Sequence, residues 1–317
     1  MVTERPEFPK LVDSTMRGAY KSCPQKFFRE FLQGLAPKGM SEHLVFGASY
    51  ARGLEVVRRL YYERGVTLDD ALIEGIAGAT IEWGNFEPPE HSPKQYTRMI
   101  GALVEYFEEH RPGTDWLKPH MRDGKACVEI CFSLPIPDTA HPVTGDPILY
   151  GGRFDMIGED HTHLWVEDDK TAMQLGNQWL KQWELRGQLT GYCWAAKTFG
   201  FPVAGAIIRG LSILKTKYGH AQAIEYRNDW EIERWLYQLS RDVNAMIENW
   251  KEGYWDFALD SACASYGGCP MLPLCTKKDP EPWINQYYEV RRWDPTKKNP
   301  AELIIPSGRE MSDLTLR

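Results

Sequence analysis

The chain has 317 residues, 43% of them hydrophobic and 26% charged, with 44 Asp and Glu against 37 Lys and Arg for a net charge of −7. This composition supports a sizeable core and excludes disorder and fibrous repeats, and the acidic balance leaves any nucleic-acid contact to local basic patches. The N-terminal MVTERPEFPK has no apolar stretch and no run of about 18 apolar residues occurs, so neither a secretory leader nor a membrane span is expected and a cytoplasmic protein is.

The first hundred residues read as helices. Ser14 is placed to cap a helix carrying Met16, Ala19 and Tyr20, which is reset near Pro24 before Phe27, Phe28, Phe31 and Leu32 repeat at helical spacing. Residues 44–62, 68–83 and 96–107 give three more helices. The pattern then changes to strands over 126–134, 149–157 and 163–169, with Asp160 and His161 in the turn between the last two, as in an antiparallel meander. A long helix is expected over 177–199, a strand over 203–214, a short edge strand over 223–226 and a strong helix over 230–250. No linker interrupts the series. The expected fold is α+β, a central mixed sheet flanked by helices. As one domain it divides into a helical N-terminal part (1–120), a core (121–228), a C-terminal helix and cysteine loop (229–278) and a Pro-rich tail (279–317).

Charge is uneven. Residues 11–60 hold eight Lys and Arg against four acids, and residues 170–220 hold seven against one, which leaves the remainder strongly acidic. Such segments suit either ordinary solvated helix faces or the flanks of a phosphate-handling site.

The most informative stretch is GGRFDMIGEDHTHLWVEDDKT, residues 151–171. Asp155 lies on one expected strand, and Asp168 and Lys170 close the next. Alternation puts Asp168 and Lys170 on one face and Glu167 and Asp169 on the other. If the strands pair, Asp155 approaches Asp168. Two carboxylates and a backbone carbonyl suit a hard cation such as Mg²⁺ or Mn²⁺ with waters in its other positions, and a neighbouring lysine can orient or deprotonate an attacking water. An isolated Asp-x-Lys equally suits a charged hairpin end. In the following helix Lys181, Leu185, Gln188 and Tyr192 fall on one stripe, so the polar tips of Gln188 and Tyr192 suit either contact with a substrate phosphate or the attacking water, or partial burial. Glu55 is a further acidic candidate on an N-terminal helix.

These residues resemble the PD-(D/E)XK nuclease superfamily, in particular its RecB-like branch with a restriction-endonuclease-like core. The matching segments are Gly152-Arg153-Phe154-Asp155, Val166-Glu167-Asp168-Asp169-Lys170-Thr171 and Gln188-x-x-x-Tyr192. The resemblance implies metal binding by Asp155, Asp168 and the carbonyl of Asp169, action of Lys170 on the water, and DNA placement by Gln188 and Tyr192. It departs from the family at Ala51, where the pattern Gly-x-x-x-His-x-x-x-Glu, here Gly47 to Glu55, expects a histidine. The implied activity is a metal-dependent DNA exonuclease acting on single strands or free ends. The alternative is a weakened or inactive DNA-binding module of the same fold, which Ala51 favours and the retained trio opposes. The implied setting is prokaryotic or phage recombination and repair. Strand polarity, strand preference and oligomeric state are not read from the sequence.

Seven cysteines are an odd number for a disulfide framework. Cys263, Cys269 and Cys275 are evenly spaced in a Gly- and Pro-containing loop, a wider spacing than zinc ribbons use. Cys23, followed by Pro24, is a distant fourth. Cys127, Cys131 and Cys193 read as small core residues. The set resembles the subset of RecB-like nucleases with one cysteine before the core and three after it, among them CRISPR-adaptation nucleases, AddB-type domains and phage exonucleases. That likeness implies a structural [4Fe–4S] cluster on Cys23, Cys263, Cys269 and Cys275.

Overall fold

The computed structural model describes residues 5–264 and 268–293. Part of the cysteine loop (residues 265–267) and the end of the tail (294–317) lie outside the described residues.

In chain order the elements are β1 (Leu11–Asp13), α1 (Ser14–Ser22), α2 (Pro24–Phe27) continued by a π-helical turn (Phe28–Leu32), β2 (Leu35–Pro37), α3 (Glu42–Arg64), α4 (Leu68–Trp83) and α5 (Tyr96–Glu109). Then come β3 (Lys118–Pro119), β4 (Met121–Arg122), β5 (Lys125–Ala126), β6 (Val128–Pro135), β7 (Leu149–Glu159) and β8 (Leu164–Ala172). The chain continues through α6 (Asn177–Lys181), α7 (Gly187–Thr198), β9 (Val203–Ile213), β10 (Tyr218–Tyr226) and α8 (Asp229–Glu252). It closes with α9 (Leu272–Cys275), α10 (Glu281–Tyr287) and β11 (Tyr288–Val290).

The fold is α+β. A seven-stranded sheet follows the order β1-β7-β8-β9-β10, with β3 and β6 also paired to β7. It is mixed: β1–β7 and β8–β9 are parallel, whereas β7–β8 and β9–β10 are antiparallel. The chain forms two compact units. Of the described residues, the first combines 5–39, 132–152 and 233–293 without 265–267, and the second 40–131 and 153–232.

In the second unit, α3, α4 and α5 bury Phe46, Tyr50, Leu54, Met99 and Leu103 in one apolar cluster. Burying such side chains stabilises by about 1.5–3 kcal/mol each. Helix α3 meets its neighbours at bare backbone: a methyl group on Gly53 would lie 2.5 Å from Leu103, and one on Gly75 would lie 3.0 Å from the Gly53 carbonyl. In the first unit, β11 pairs antiparallel with β2, and Leu35, Met271, Leu274 and Tyr288 form a small core. Part of the expected tail is therefore ordinary packed structure.

Four expectations are corrected here. Helix α1 is capped by Asp13, whose carboxylate accepts the Met16 N–H at 2.8 Å, so Ser14 is the first helical residue. The long helix over 177–199 is two helices, broken at residues 182–186. Arg227, 4% exposed, donates to the Trp183 carbonyl at 2.8 Å and to the Thr190 hydroxyl at 3.1 Å. It thus ties the turn, whose Trp183 carbonyl also accepts the Arg186 N–H at 3.1 Å, to α7. The proposed four-residue stripe does not exist: Leu185 lies in the break and is exposed, and only Gln188 and Tyr192 share α7. The edge strand β10 is also longer than expected, running antiparallel to β9 from Tyr218 to Tyr226.

Candidate active site

The site forms where β7 and β8 part. Their described ladder runs from Glu159–Leu164 to Met156–Glu167. At the next step the Asp155 side chain, rather than the β7 backbone, accepts the Asp169 N–H at 2.9 Å. Every buried N–H needs a partner, and here a carboxylate supplies it. Asp155 is thereby fixed beside the end of β8.

Asp168 is 1% exposed. Its Oδ1 accepts from the Gln188 amide at 3.3 Å, and the Lys170 ammonium lies against its Oδ2. Burial first, then the like charge of Asp168, pushes the Asp155 pKa up to about 6. Burial opposes the Lys170 charge, but Asp168 and Asp155 outweigh it and hold its pKa above the usual lysine value. Tyr192, buried on α7, rests edge-on against Phe154 at 5.6 Å and hydrogen-bonds Gln188 and the Arg153 backbone. Burial, Asp168 and Asp155 raise its pKa, so the phenol stays protonated. Across the β8–β9 register Lys170 faces Gly210, where a methyl group would lie 2.4 Å from the Trp179 ring. Bare backbone at Gly210 seats α6 beside the lysine strand.

The alternate face of β8 holds a second set of charges, whose two acids follow from strand alternation and whose cationic partners do not. Glu167, fully buried, accepts from Arg58 at 3.1 Å and from the Tyr106 hydroxyl at 3.2 Å. Asp169 accepts from Arg58 at 2.8 Å, and Arg209 pairs with Asp115 at 2.7 Å and donates to Tyr106 at 3.2 Å. Burial, against Arg58, pushes Glu167 up to about 8. The Asp169 carboxylate is therefore engaged on the face of β8 opposite Asp168. Alternation along β8 gave the two acids; their cationic partners come from distant elements and carried no sequence signal.

Glu55, on α3, is 4% exposed and pairs with Arg52 at 2.6 Å and Arg59 at 3.1 Å. Gly47, Ala51 and Glu55 recur every four residues of α3, so they share one face. Several cations of the two basic segments are committed to the fold: Arg17 to Asp242, Arg58 and Arg209 to the buried network, and Lys197 to Asp229. Lys181, Arg186, Lys215 and Lys217 are exposed.

The donor set suits a hard divalent cation in chemistry, since two repelling buried carboxylates want a counter-charge and Mg²⁺ takes one or two carboxylates with waters. Among the described residues no three Cys, His, Asp or Glu side chains converge to hold a metal ion. This applies to the cysteines as well. Cys23 joins α1 to α2, and its sulfur accepts the Ala258 N–H at 3.4 Å. The Cys269 N–H reaches the Cys263 carbonyl at 2.9 Å. Burial raises the Cys275 pKa against Arg29, which hydrogen-bonds its sulfur, while Cys269 and Cys23 are near enough to add to the rise. Cys127 and Cys193 are buried.

Residues 18–276 match the model of the PD-(D/E)XK nuclease superfamily. No curated protein matches the chain. Among solved structures, it is similar to a candidate exonuclease from Eubacterium rectale, with 11% identity, a TM-score of 0.43, and 81% of this chain and 88% of that one covered. It is also similar to SSO0001, with 14% identity, a TM-score of 0.32, and 76% of this chain and 99% of that one covered.

Proposed function

Since this chain belongs to the PD-(D/E)XK nuclease superfamily, we propose that it is a metal-dependent DNA exonuclease of the RecB-like branch, with a structural [4Fe–4S] cluster. The observation that carries the reading is the meeting of Asp155, Asp168 and Lys170 at the parting of two strands, with Gln188 bonded to Asp168. Asp155, Asp168 and the Asp169 carbonyl would hold Mg²⁺ or Mn²⁺. When bound, the ion lowers the pKa of a water and offsets charge on the phosphodiester.

The protein's own part is positioning. The Asp169 N–H holds Asp155 in place, and Gln188 fixes one oxygen of Asp168. Lys170 carries its proton at Nζ between the two carboxylates, where it orients the nucleophile and can exchange a proton with it once their charge is shared. Tyr192 offers its phenolic proton beside Gln188. The exposed Lys181, Arg186, Lys215 and Lys217 are available to the strand backbone. The second reading, a weakened binding module, is favoured by Ala51, which offers a potential cation no imidazole from α3.

Asp168→Ala decides between them. It should abolish cleavage of end-labelled DNA with Mg²⁺ or Mn²⁺ while leaving DNA affinity within a few-fold, because affinity comes from the basic surface. Cleavage that persists in this variant, with contaminating nuclease excluded, would end the assignment. Parent protein that binds but never cuts would establish the binding module. Degradation of linear but not closed circular DNA would establish the requirement for an end.

A further inference from the structure

We propose that Arg153 is a substrate-contact residue that grips a backbone phosphate beside Asp155, and that Glu129 is the positioning residue that holds it there. This rests on the nuclease reading. Among the described residues three non-glycine residues have positive φ: Asp123, Glu129 and Asp138, at 52°, 51° and 55°. The two aspartates lie in turns, where a short polar side chain tolerates the left-handed region. Glu129 lies inside strand β6 and is 4% exposed. A glutamate there is strained twice, in its backbone and by burial of its charge.

What the strain supports is a pairing. A Glu129 carboxylate oxygen lies 2.7 Å from Arg153 Nε. Buried ion pairs are poor stabilisers in themselves, so stability alone does not account for this one. The contact uses one edge of the guanidinium. The two Nη groups have no hydrogen-bond partner among the described residues, and the Arg153 side chain remains 26% exposed. Arg153 precedes Asp155 by two residues on β7, and besides Glu129 its charge is stabilised by Asp155, Cys131 and Glu55. A guanidinium held in an ion pair through Nε, with both Nη groups left unpaired among the described residues and Asp155 two positions along the same strand, is preorganised for the two-pronged recognition of a phosphate. The ligand it fits is the phosphodiester backbone, without regard to base.

The test measures binding apart from cleavage. In EDTA, the affinity of the full chain for a fluorescent oligonucleotide is followed against salt, and cleavage kinetics are measured separately with Mn²⁺. Arg153→Ala should reduce the salt slope by about 0.7 for single strands or about 0.9 for duplex, the value of one phosphate contact. It should also lower kcat/KM by about 10–100-fold. Glu129→Gln should lower kcat/KM in the parent yet cost nothing further in Arg153→Ala, because it acts through the arginine. Arg153→Lys keeps the charge without the fork, so it should keep the slope and lose rate, and it serves where Arg153→Ala does not fold. An unchanged slope in folded Arg153→Ala, equal losses from Glu129→Gln in both backgrounds, or an Arg153→Lys enzyme as fast as the parent would overturn the proposal. Failure of the nuclease reading shows separately, as cleavage that survives Asp168→Ala.

Discussion

Asp155 shows how a single side chain ties fold to chemistry. Its carboxylate completes the hydrogen bonding of β8 and at the same time faces Asp168. Its pKa stands at about 6 against an ordinary value of 3.8, so the folded protein holds this proton more tightly than the unfolded chain. The stability it contributes is fully present below the ordinary value and is lost as the pH rises through about 6. In EDTA, Asp155→Asn should therefore gain in thermal midpoint over the parent as the pH rises from about 4 to about 7, with the gain levelling off beyond. A difference that stays flat across this range would show that Asp155 does not titrate there. The pairing of Asp155 with Asp168 and Lys170 was legible in the sequence because strand alternation and a short turn fix all three. Glu129 was not, because nothing in its sequence context marks a left-handed residue within a strand. Arg58 and Arg209 were not, because their acidic partners lie far along the chain.

At the scale of elements, helices α3, α4 and α5 were readable because long apolar periodicity is a strong signal. The three-residue strands β1, β2 and β11 are too short to show any period. The break between α6 and α7 left no mark either, since residues 178–186 contain neither Gly nor Pro and the Arg227 that holds the turn comes from beyond β10. The α1 cap was ambiguous because Asp13, Ser14 and Thr15 are all capping types. The β9–β10 pair, in contrast, depends on a residue whose importance only the packing reveals. Gly205 faces Tyr226, and a methyl group on it would lie 2.1 Å from the Glu225 carbonyl oxygen and 2.7 Å from the Tyr226 Cα. Both are backbone atoms and cannot swing aside. Gly205→Ala should cost at least about 1–3 kcal/mol of stability, the usual cost of overpacking. Denaturant unfolding measures this, and an unchanged midpoint would mean that β10 is free to move away from β9.

For the whole molecule, the question is what joins the beginning of the chain to its end. Within the first unit, β2 pairs with β11, and Leu35 packs with Met271, Leu274 and Tyr288. Cys23 and Cys263 are 240 positions apart in the sequence, yet the Cys23 sulfur already lies against the backbone of residues 256–258. The proposed cluster would add a covalent staple to a closure that strand pairing and apolar packing begin. The N–H of Ala258 and the side chain of Arg29 point at the sulfurs of Cys23 and Cys275, and such donors suit thiolates around an iron–sulfur core. Anaerobically purified protein should accordingly be brown, with about four irons per chain. Cys23→Ser should lose the colour and unfold at a lower temperature, since ligation is coupled to folding. The loss should be partial, because the β2–β11 ladder and its core remain when the staple is cut. Stoichiometric zinc without iron or visible absorbance would assign the cysteines to a zinc site instead. A Cys23→Ser protein as brown and as stable as the parent would remove Cys23 from the ligand set, leaving strand pairing and packing alone to hold the two ends of this unit together.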